Sequence, residues 1–396
     1  MTNWKRNLYI LWFTQFLSTM SFGFGLPLIP FYIQELGVTD EAQIKLFIGI
    51  LNSAPAVTMA LIAPVWGRLS DRYGRKPMIL RAMLSASIII TLMGAARNVN
   101  QLIILRTLQG LFTGTISAAS TFVAANTPKQ NLSYSLGFLS SSSFLGASIG
   151  QALGGISAEL YGNRVSFFIG GAIMIIGAVL AFILLHEDPD SFGQPKEAGQ
   201  PGMRLKDMMG LVGFLLIMLM LQRFIRSIFD PFMPLYLEQL RGSHQIKAVT
   251  GYVRMAISIA TALAGLTLSQ LGDRWDKRNI IVGLLAITTV VATMLLFFQG
   301  FWPFVILFTI MSFFMGGIEP LLTSLSAERV DSRNRGVLFG YQGMVGGLGW
   351  MIAPLAGSFL SISFGGYEAL IVTIIVVLAV NLMMSLNALR KARAKS

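Results

Sequence analysis

A small set of ionisable side chains lies inside apolar stretches of this sequence, where it could do chemistry. These residues are Arg106, Arg223, Arg226, Asp230, Arg254 and Glu319. A charge at the bilayer centre costs about 2.5–3.5 kcal/mol on insertion scales, so such a group faces a cavity or a partner. Burial raises the proton affinity of a carboxyl group, and a nearby arginine lowers it. A carboxyl group that alternates between these surroundings could carry a proton across a membrane protein.

The first candidate for that role is Glu319, which lies in a helix loosened by Gly316, Gly317 and Pro320. No base stands at helical spacing from it on its own helix, so Glu319 needs a proton or a partner from elsewhere, such as Arg223 or Arg254. We hypothesise that Glu319 is the main proton carrier. Asp230 is the second candidate, and either acid could instead neutralise a cationic substrate.

Three of the charges are spaced three and four residues apart. Arg223, Arg226 and Asp230 therefore form one stripe on a helix, with Arg226 and Asp230 within pairing distance. The structural alternative is an ion pair within the helix that eases membrane insertion. We expect these three residues and Glu319 to contribute to substrate binding.

The composition excludes a soluble globular protein. The chain has 396 residues, of which 54% are hydrophobic and 12% charged, and its mean hydropathy is +0.67; soluble domains carry about 25% charged residues. Apolar stretches of about 20 residues cross a bilayer as helices. The sequence predicts an all-α integral membrane protein with twelve spans, at residues 8–33, 44–66, 77–96, 100–125, 133–160, 164–185, 209–236, 248–271, 279–299, 302–327, 336–362 and 366–389.

The net charge of +12 is explained by membrane orientation. Most lysines and arginines fall in loops on one side of the predicted spans, while Lys45, Arg97, Arg164, Arg241 and Lys247 fall on the other. The positive-inside rule then puts both termini in the cytoplasm, and no nucleic-acid partner is expected. The absence of cysteine and the presence of only two histidines argue against a metal centre.

The chain divides into two similar halves. Residues 187–207 are polar and rich in glycine and proline, and we expect a flexible cytoplasmic linker between bundles at 1–186 and 208–396. Pro27–Tyr32 recurs as Pro231–Tyr236, and Gly67–Lys76 recurs as Ser269–Arg278. Repeated membrane halves are typical of transporters. The sequence therefore predicts two six-helix bundles around a central cavity.

The repeated loop segment is a candidate conformational gate. Its residues are Gly67, Asp71, Arg72, Gly74 and Arg75 in the first half and Asp273 and Arg274 in the second. We expect the glycines to allow a tight loop. Asp71 would pair with an arginine or a helix N-terminus of the other bundle, and that contact would break during transport. The alternative is a basic loop that sets topology, with a local ion pair.

A second glycine pattern predicts helix packing. Gly146, Gly150 and Gly154 recur every four residues and so lie on one helix face. Small residues at this spacing allow a neighbouring helix backbone to approach closely. We expect this face to be a tight helix–helix contact.

These motifs resemble those of the major facilitator superfamily, in particular its twelve-helix drug:proton antiporters. Gly67–Pro77 is similar to the family's loop between helices 2 and 3, Arg106–Gly114 to its helix 4 motif, and Gly146–Gly155 to its helix 5 motif, with Gln151 where proline is usual. The resemblance implies a cavity lined by helices 1, 4, 7 and 10. On helix 1 this adds Gln15, Thr19 and Phe22 as substrate-binding candidates.

The resemblance also implies that Arg106 relays protonation; the alternative is that it donates hydrogen bonds to helix carbonyls. We expect a monomer, in a cell membrane of bacterial type and surrounded by lipids. It would export amphipathic drugs, mainly cationic ones, in exchange for protons, without a cofactor. The sequence has no phosphate-binding G-x-x-x-x-G-K-[ST] segment and no soluble domain for an enzyme site. Two alternatives are proton-coupled transport of a narrower substrate, such as a sugar, metabolite or glycolipid, and a membrane sensor or scaffold.

Overall fold

The described structure is helical throughout. A computed structural model describes residues 3–128, 131–187, 205–331 and 334–393, and no strand occurs in these ranges. Most of the predicted linker lies outside the described residues. The helices are α1 (Asn3–Gly25), α2 (Ile29–Glu35), α3 (Glu41–Tyr73), α4 (Arg75–Gly94), α5 (Val99–Phe112), α6 (Thr115–Asn126), α7 (Leu132–Tyr161), α8 (Asn163–Leu184), α9 (Leu205–Phe229), α10 (Met233–Arg241), α11 (Ile246–Arg274), α12 (Lys277–Phe297), α13 (Phe301–Glu328), α14 (Arg335–Ser363) and α15 (Glu368–Arg393).

The length and surface of these helices confirm the predicted fold class. Eleven stretches of the described chain are long and apolar enough to cross a membrane. The remaining predicted span corresponds to α7, which has 30 residues and carries the serine run at 140–143. Large apolar side chains such as Leu160, Phe182 and Phe297 are exposed on the helix surfaces. Helices that are apolar on their outer faces are those that lie against lipid.

The helix boundaries differ from the sequence prediction at Gly67 and at Gly114. The expectation that Gly67 lies in a loop is wrong, because α3 continues past it to Tyr73. Only Gly74, with φ of +94°, ends that helix, a backbone conformation that glycine adopts without strain. The predicted span 100–125 is interrupted at Gly114, whose φ of +105° separates α5 from α6.

The chain divides into two compact units. The first comprises Met1–Ala198 with Ser243–Met255, and the second comprises Gly199–Gly242 with Ala256–Ser396. The first ten residues of α11 therefore group with the first unit. There the Glu159 carboxylate accepts a hydrogen bond from the backbone N–H of Lys247 at 3.0 Å. The Lys247 ammonium in turn lies 2.7 Å from the Glu35 carboxylate. These contacts fix the start of α11.

Glycines on α7 bring it against α1 within the first unit. A Cβ atom added at Gly150 would lie 2.8 Å from Cα of Met20, and one at Gly154 would lie 2.5 Å from Cα of Phe24. One at Gly146 would overlap the Thr19 hydroxyl. All three glycines thus face the α1 backbone. Any side chain at these positions would push the two helices apart.

The second unit packs α9 against α13, α14 and α15. Gly349 on α14 meets the backbone of Met220 on α9. Further along α9, Phe229 contacts Phe304 and Phe308 of α13 at ring-centroid distances of 5.6 and 5.4 Å. These contacts hold α9 and α13 side by side. They thereby position the charged residues of both helices.

Candidate transport site

Glu319 lies between two arginines of α9 in the second unit. Its Oε1 atom accepts hydrogen bonds from Nε and Nη2 of Arg223 at 3.0 and 2.8 Å. Its Oε2 atom lies 3.6 Å from Nη1 of Arg226. Such side-on contact by a guanidinium fixes the direction of the carboxylate as well as its charge. The partner that Glu319 requires is therefore supplied by α9.

Glycines next to Glu319 pack α13 against α11. Gly316 and Gly317 face α11, because a Cβ atom at Gly316 would lie 2.6 Å from the carbonyl oxygen of Thr261. Pro320 follows directly and has no N–H to donate within the helix. The two glycines therefore let α13 and α11 approach closely beside Glu319.

The three side chains are partly exposed, which makes the cluster accessible. The exposed fractions are 33% for Arg223, 41% for Arg226 and 26% for Glu319. Two guanidinium groups and one carboxylate give the cluster a net charge of one positive unit. A proton on Glu319 would raise that charge and release both arginines. The geometry thus makes the arginine contacts depend on the protonation of one group.

Asp230 lies beyond the end of this helix. α9 ends at Phe229, and Asp230 begins a 3-10 turn that extends to Phe232. The expected stripe of Arg223, Arg226 and Asp230 is thus shared between a helix and a turn. Arg226 lies next to Glu319, at the distance given above. The roles of Asp230 in proton coupling and substrate binding stay predictions.

Gly346 on α14 makes room for Arg223. A Cβ atom at Gly346 would lie 2.6 Å from Nη1 of Arg223, whereas one at Gly347 would meet nothing within 4 Å. Sequence reasoning missed this residue. The only sequence feature that pointed to Gly346 was its position in a glycine-rich helix. Many glycines that serve only helix packing have the same feature.

We predict that Gly346→Ala lowers transport several-fold without unfolding the protein. The added methyl group displaces the end of a flexible side chain, so packing adjusts while the contact between Arg223 and Glu319 weakens. The matched control is Gly347→Ala, the same change one position along. Transport rate and thermal midpoint should be measured for both variants. Equal transport by the two would show that the position of Arg223 is unimportant.

In the first unit, Arg106 is buried and bonded to neutral groups. Its Nε donates to the carbonyl oxygen of Leu51 at 2.8 Å, and its Nη1 donates to Oε1 of Gln109 at 2.6 Å. A bond to a helix carbonyl was the structural alternative that the sequence left open. The relay role of Arg106 stays a prediction.

The helix 1 candidates are packed within the first unit. Gln15 and Thr19 are both buried, and the Thr19 hydroxyl donates to the carbonyl oxygen of Gln15 at 3.0 Å. The Gln15 amide lies 3.5 Å from the hydroxyl of Thr115, at the start of α6. Phe22 is half-buried. Substrate binding by these three residues stays a prediction.

The candidate gate is only partly visible. The side chains of Asp71 and Asp273 lie outside the described residues. Arg72 packs over the ring of Tyr73, at 5.3 Å from its centroid. Arg274 is exposed at the end of α11. The gating role of this segment therefore stays a prediction.

Sequence reasoning missed the acid that caps α4, next to the predicted gate. The Glu187 carboxylate accepts hydrogen bonds from the backbone N–H groups of Arg75 and Lys76, at 2.9 and 2.7 Å. A carboxylate at this position satisfies unpaired N–H groups and the positive end of the helix dipole. Glu187 stands 112 residues from Arg75 in sequence, and no local pattern links them.

Taken together, these observations describe a multi-pass helical membrane protein with one acid and two arginines in contact within its spans. Comparison with known proteins agrees with this class. The family model of the Major Facilitator Superfamily matches residues 11–253 and 215–396. The chain belongs to this family, and it is a membrane transporter rather than an enzyme.

Curated relatives match over nearly the whole chain. The "Multidrug resistance protein MdtG" of Salmonella dublin is 32% identical over 394 residues, covering 99% of this chain and 97% of the relative. The "Multi-drug resistance efflux pump PmrA homolog" of Lactococcus lactis is 31% identical over 392 residues, covering 98% and 96%. The identification of the family from sequence motifs is thereby confirmed.

Solved structures show the same fold at low sequence identity. A bacterial homologue of the human lysosomal transporter Spinster superposes with a TM-score of 0.75 at 17% identity, covering 97% of this chain and 96% of that one. The nucleoside transporter NupG superposes with a TM-score of 0.75 at 14% identity, covering 97% and 99%. These similarities show that the chain shares the fold of these two transporters.

Proposed function

We propose that this protein exports amphipathic drugs in exchange for protons, by alternating access, across a bacterial cell membrane with both termini in the cytoplasm. The observation that carries the proposal is the carboxylate of Glu319, held by Arg223 and Arg226 within membrane-spanning helices. The multidrug names of relatives that cover nearly the whole chain support the substrate class. Glu319 is the proton carrier in this account.

The charge of the Glu319 cluster determines whether binding of a proton and binding of a drug favour or oppose each other. With Glu319 ionised, the cluster carries one net positive charge, and a proton adds a second. A cationic drug near the cluster and a proton on Glu319 then repel each other, so each weakens the binding of the other by the same factor. Mutual exclusion of proton and substrate is what exchange requires. Affinity for the drug comes from apolar and aromatic contacts.

The proton would change which contacts hold α9 and α13 together. When Glu319 is ionised, Arg223 and Arg226 bind it and neutralise it. When Glu319 is protonated, its attraction to both guanidinium groups falls, because the ion–ion contribution is lost. Arg106 and Asp230 are the further proton-coupling residues of the proposal. Gln15, Thr19 and Phe22 complete the substrate-binding set.

Dye efflux from intact cells tests the proposed function. Cells that express the protein and are preloaded with a fluorescent lipophilic cation should lose the dye faster than cells without it. A protonophore should remove that difference, because the proton gradient is the only driving force in the account. A folded, membrane-inserted protein that leaves dye efflux unchanged would contradict drug export and favour a narrower substrate, such as a sugar, metabolite or glycolipid.

A further inference from the structure

Two arginines of the second unit line the same cleft. Arg278 lies near the start of α12, and Arg329 follows the end of α13. Both line a narrow cleft together with the hydroxyl-bearing Ser385 of α15. The remaining lining is apolar and includes Met218, Ile281 and Leu322. In the described part of the chain, no carboxylate lies within 4 Å of either guanidinium group.

Two acids that the structure describes beside this cleft, Glu328 and Asp276, are already engaged. The Glu328 carboxylate binds the Lys277 ammonium, which also donates to the Ser324 hydroxyl at 2.8 Å. The Asp276 carboxylate caps α12 by accepting the backbone N–H of Arg278 at 3.0 Å. Partial burial and the neighbouring Arg278 lower the pKa of Arg329. An anion between the two guanidinium groups would relieve their repulsion.

The first unit contains an acid at the equivalent place. There Glu187 supplies a carboxylate to the N–H groups of Arg75 and Lys76 at the start of α4. The sequence repeat, with a displacement of 202 residues, aligns Lys76 with Arg278. The same displacement aligns Glu187 with Leu389. The second half has kept the basic residues, and there Asp276 caps the helix in place of an acid equivalent to Glu187.

The surroundings of the cleft place it at the membrane surface. A depression of about 560 Å³ adjoins it and shares Arg278 and Leu325 with it. Trp275 lines this depression, and 72% of its side chain is exposed. Exposed tryptophan at a helix end is typical of the interface between membrane and water. We therefore expect the two arginines to lie at the level of the lipid headgroups.

We propose that this cleft binds the phosphate group of an anionic phospholipid, with Arg278, Arg329 and Ser385 as donors. Guanidinium groups bind phosphate oxygens through paired hydrogen bonds. Basic pockets between spanning helices on the cytoplasmic side are suited to anionic lipid headgroups, and the proposed topology puts this end there. The site is separate from the Glu319 cluster.

Lipid titration of the purified full-length protein tests this site. Binding of phosphatidylglycerol, phosphatidylcholine and inorganic phosphate is measured by native mass spectrometry and by thermal midpoint, in the wild type, Arg278→Gln and Arg329→Gln. Arg274→Gln is the matched control, because Arg274 is an exposed arginine at the same membrane surface outside the cleft lining. We expect phosphatidylglycerol to bind more tightly than phosphatidylcholine, and each cleft variant to weaken it about fivefold or more.

Several results would overturn the proposal. One is equal binding of the two lipids, and another is unchanged phosphatidylglycerol binding in both cleft variants. Inorganic phosphate that stabilises the protein and removes the preference for phosphatidylglycerol would assign the cleft to a dissolved anion. A cleft variant that fails to fold is replaced by Ser385→Ala, which removes one donor and no charge. Lipid binding is measured without transport, so this test and the dye-efflux test fail independently.

Discussion

Glu319→Gln is expected to abolish proton-driven drug export while preserving exchange of drug for drug. Glutamine keeps the size and the hydrogen-bonding oxygen of the side chain, but it cannot take up or release a proton. Net uphill export should fall to the level of membranes without the protein, a loss of at least about fivefold, since coupling free energies of about 1–3 kcal/mol correspond to about 5–150-fold. Exchange of labelled for unlabelled drug at equal pH should remain, because it needs no proton.

The matched control for this variant is Asp207→Asn. It makes the same chemical change on α9, near its start and on an exposed side chain. Its export should match that of the wild type at equal protein level. If Glu319→Gln retained uphill export, the proton would have to travel through another group, with Asp230 the first candidate. If it lost exchange as well, Glu319 would be required for binding or folding rather than for coupling.

Gly150→Ala is expected to lower the thermal stability of the protein by a large amount. The new methyl group would meet the backbone of Met20, which cannot move aside as a side chain can. Overpacking of this kind costs about 1–3 kcal/mol, and a contact with backbone falls at the upper end. The measurement is the thermal midpoint of purified protein together with the yield of monodisperse material.

Gly137→Ala provides the matched comparison on the same helix. A Cβ atom at Gly137 would meet nothing within 4 Å, so the substitution should leave the midpoint unchanged or raise it slightly through helix propensity. Equal midpoints for the two variants would contradict the tight contact between α1 and α7. The comparison removes any general effect of replacing glycine in α7.

Hydropathy and charge predicted the architecture well, because the bilayer imposes one dominant requirement on the chain. Every backbone polar group must be satisfied inside the hydrocarbon region, so apolar stretches of spanning length become helices. Glycines spaced four apart in a spanning helix, such as Gly146, Gly150 and Gly154, commonly allow a neighbouring helix to approach closely. Predictions of this kind depend on local sequence alone.

Helix ends were less predictable, because single residues decide them. Gly67 and Gly74 look alike in sequence, yet only Gly74 adopts a positive φ and ends α3. Gly114 interrupts a stretch that hydropathy assigns to one span. Glycine is permitted in both states, and the packing of the surrounding helices selects between them.

Contacts between distant parts of the chain were the least predictable. Helical spacing on α9 gave no sign that Arg226 would lie beside Glu319 of α13. The cap that Glu187 provides to α4 joins residues 112 positions apart. Such contacts depend on how the helices pack against one another. The residue periodicity within one helix carries no information about that packing.

Proton movement driven by a drug gradient tests the central claim of exchange through Glu319 most directly. Proteoliposomes are loaded with a permanently charged lipophilic cation and an internal pH indicator, clamped electrically with potassium and valinomycin, and diluted into drug-free buffer at the same pH. Such a drug carries no proton of its own. We predict that the lumen acidifies as the drug leaves, and that Glu319→Gln abolishes the acidification. Drug exit through the protein at constant internal pH, or acidification that persists in Glu319→Gln, would contradict the account.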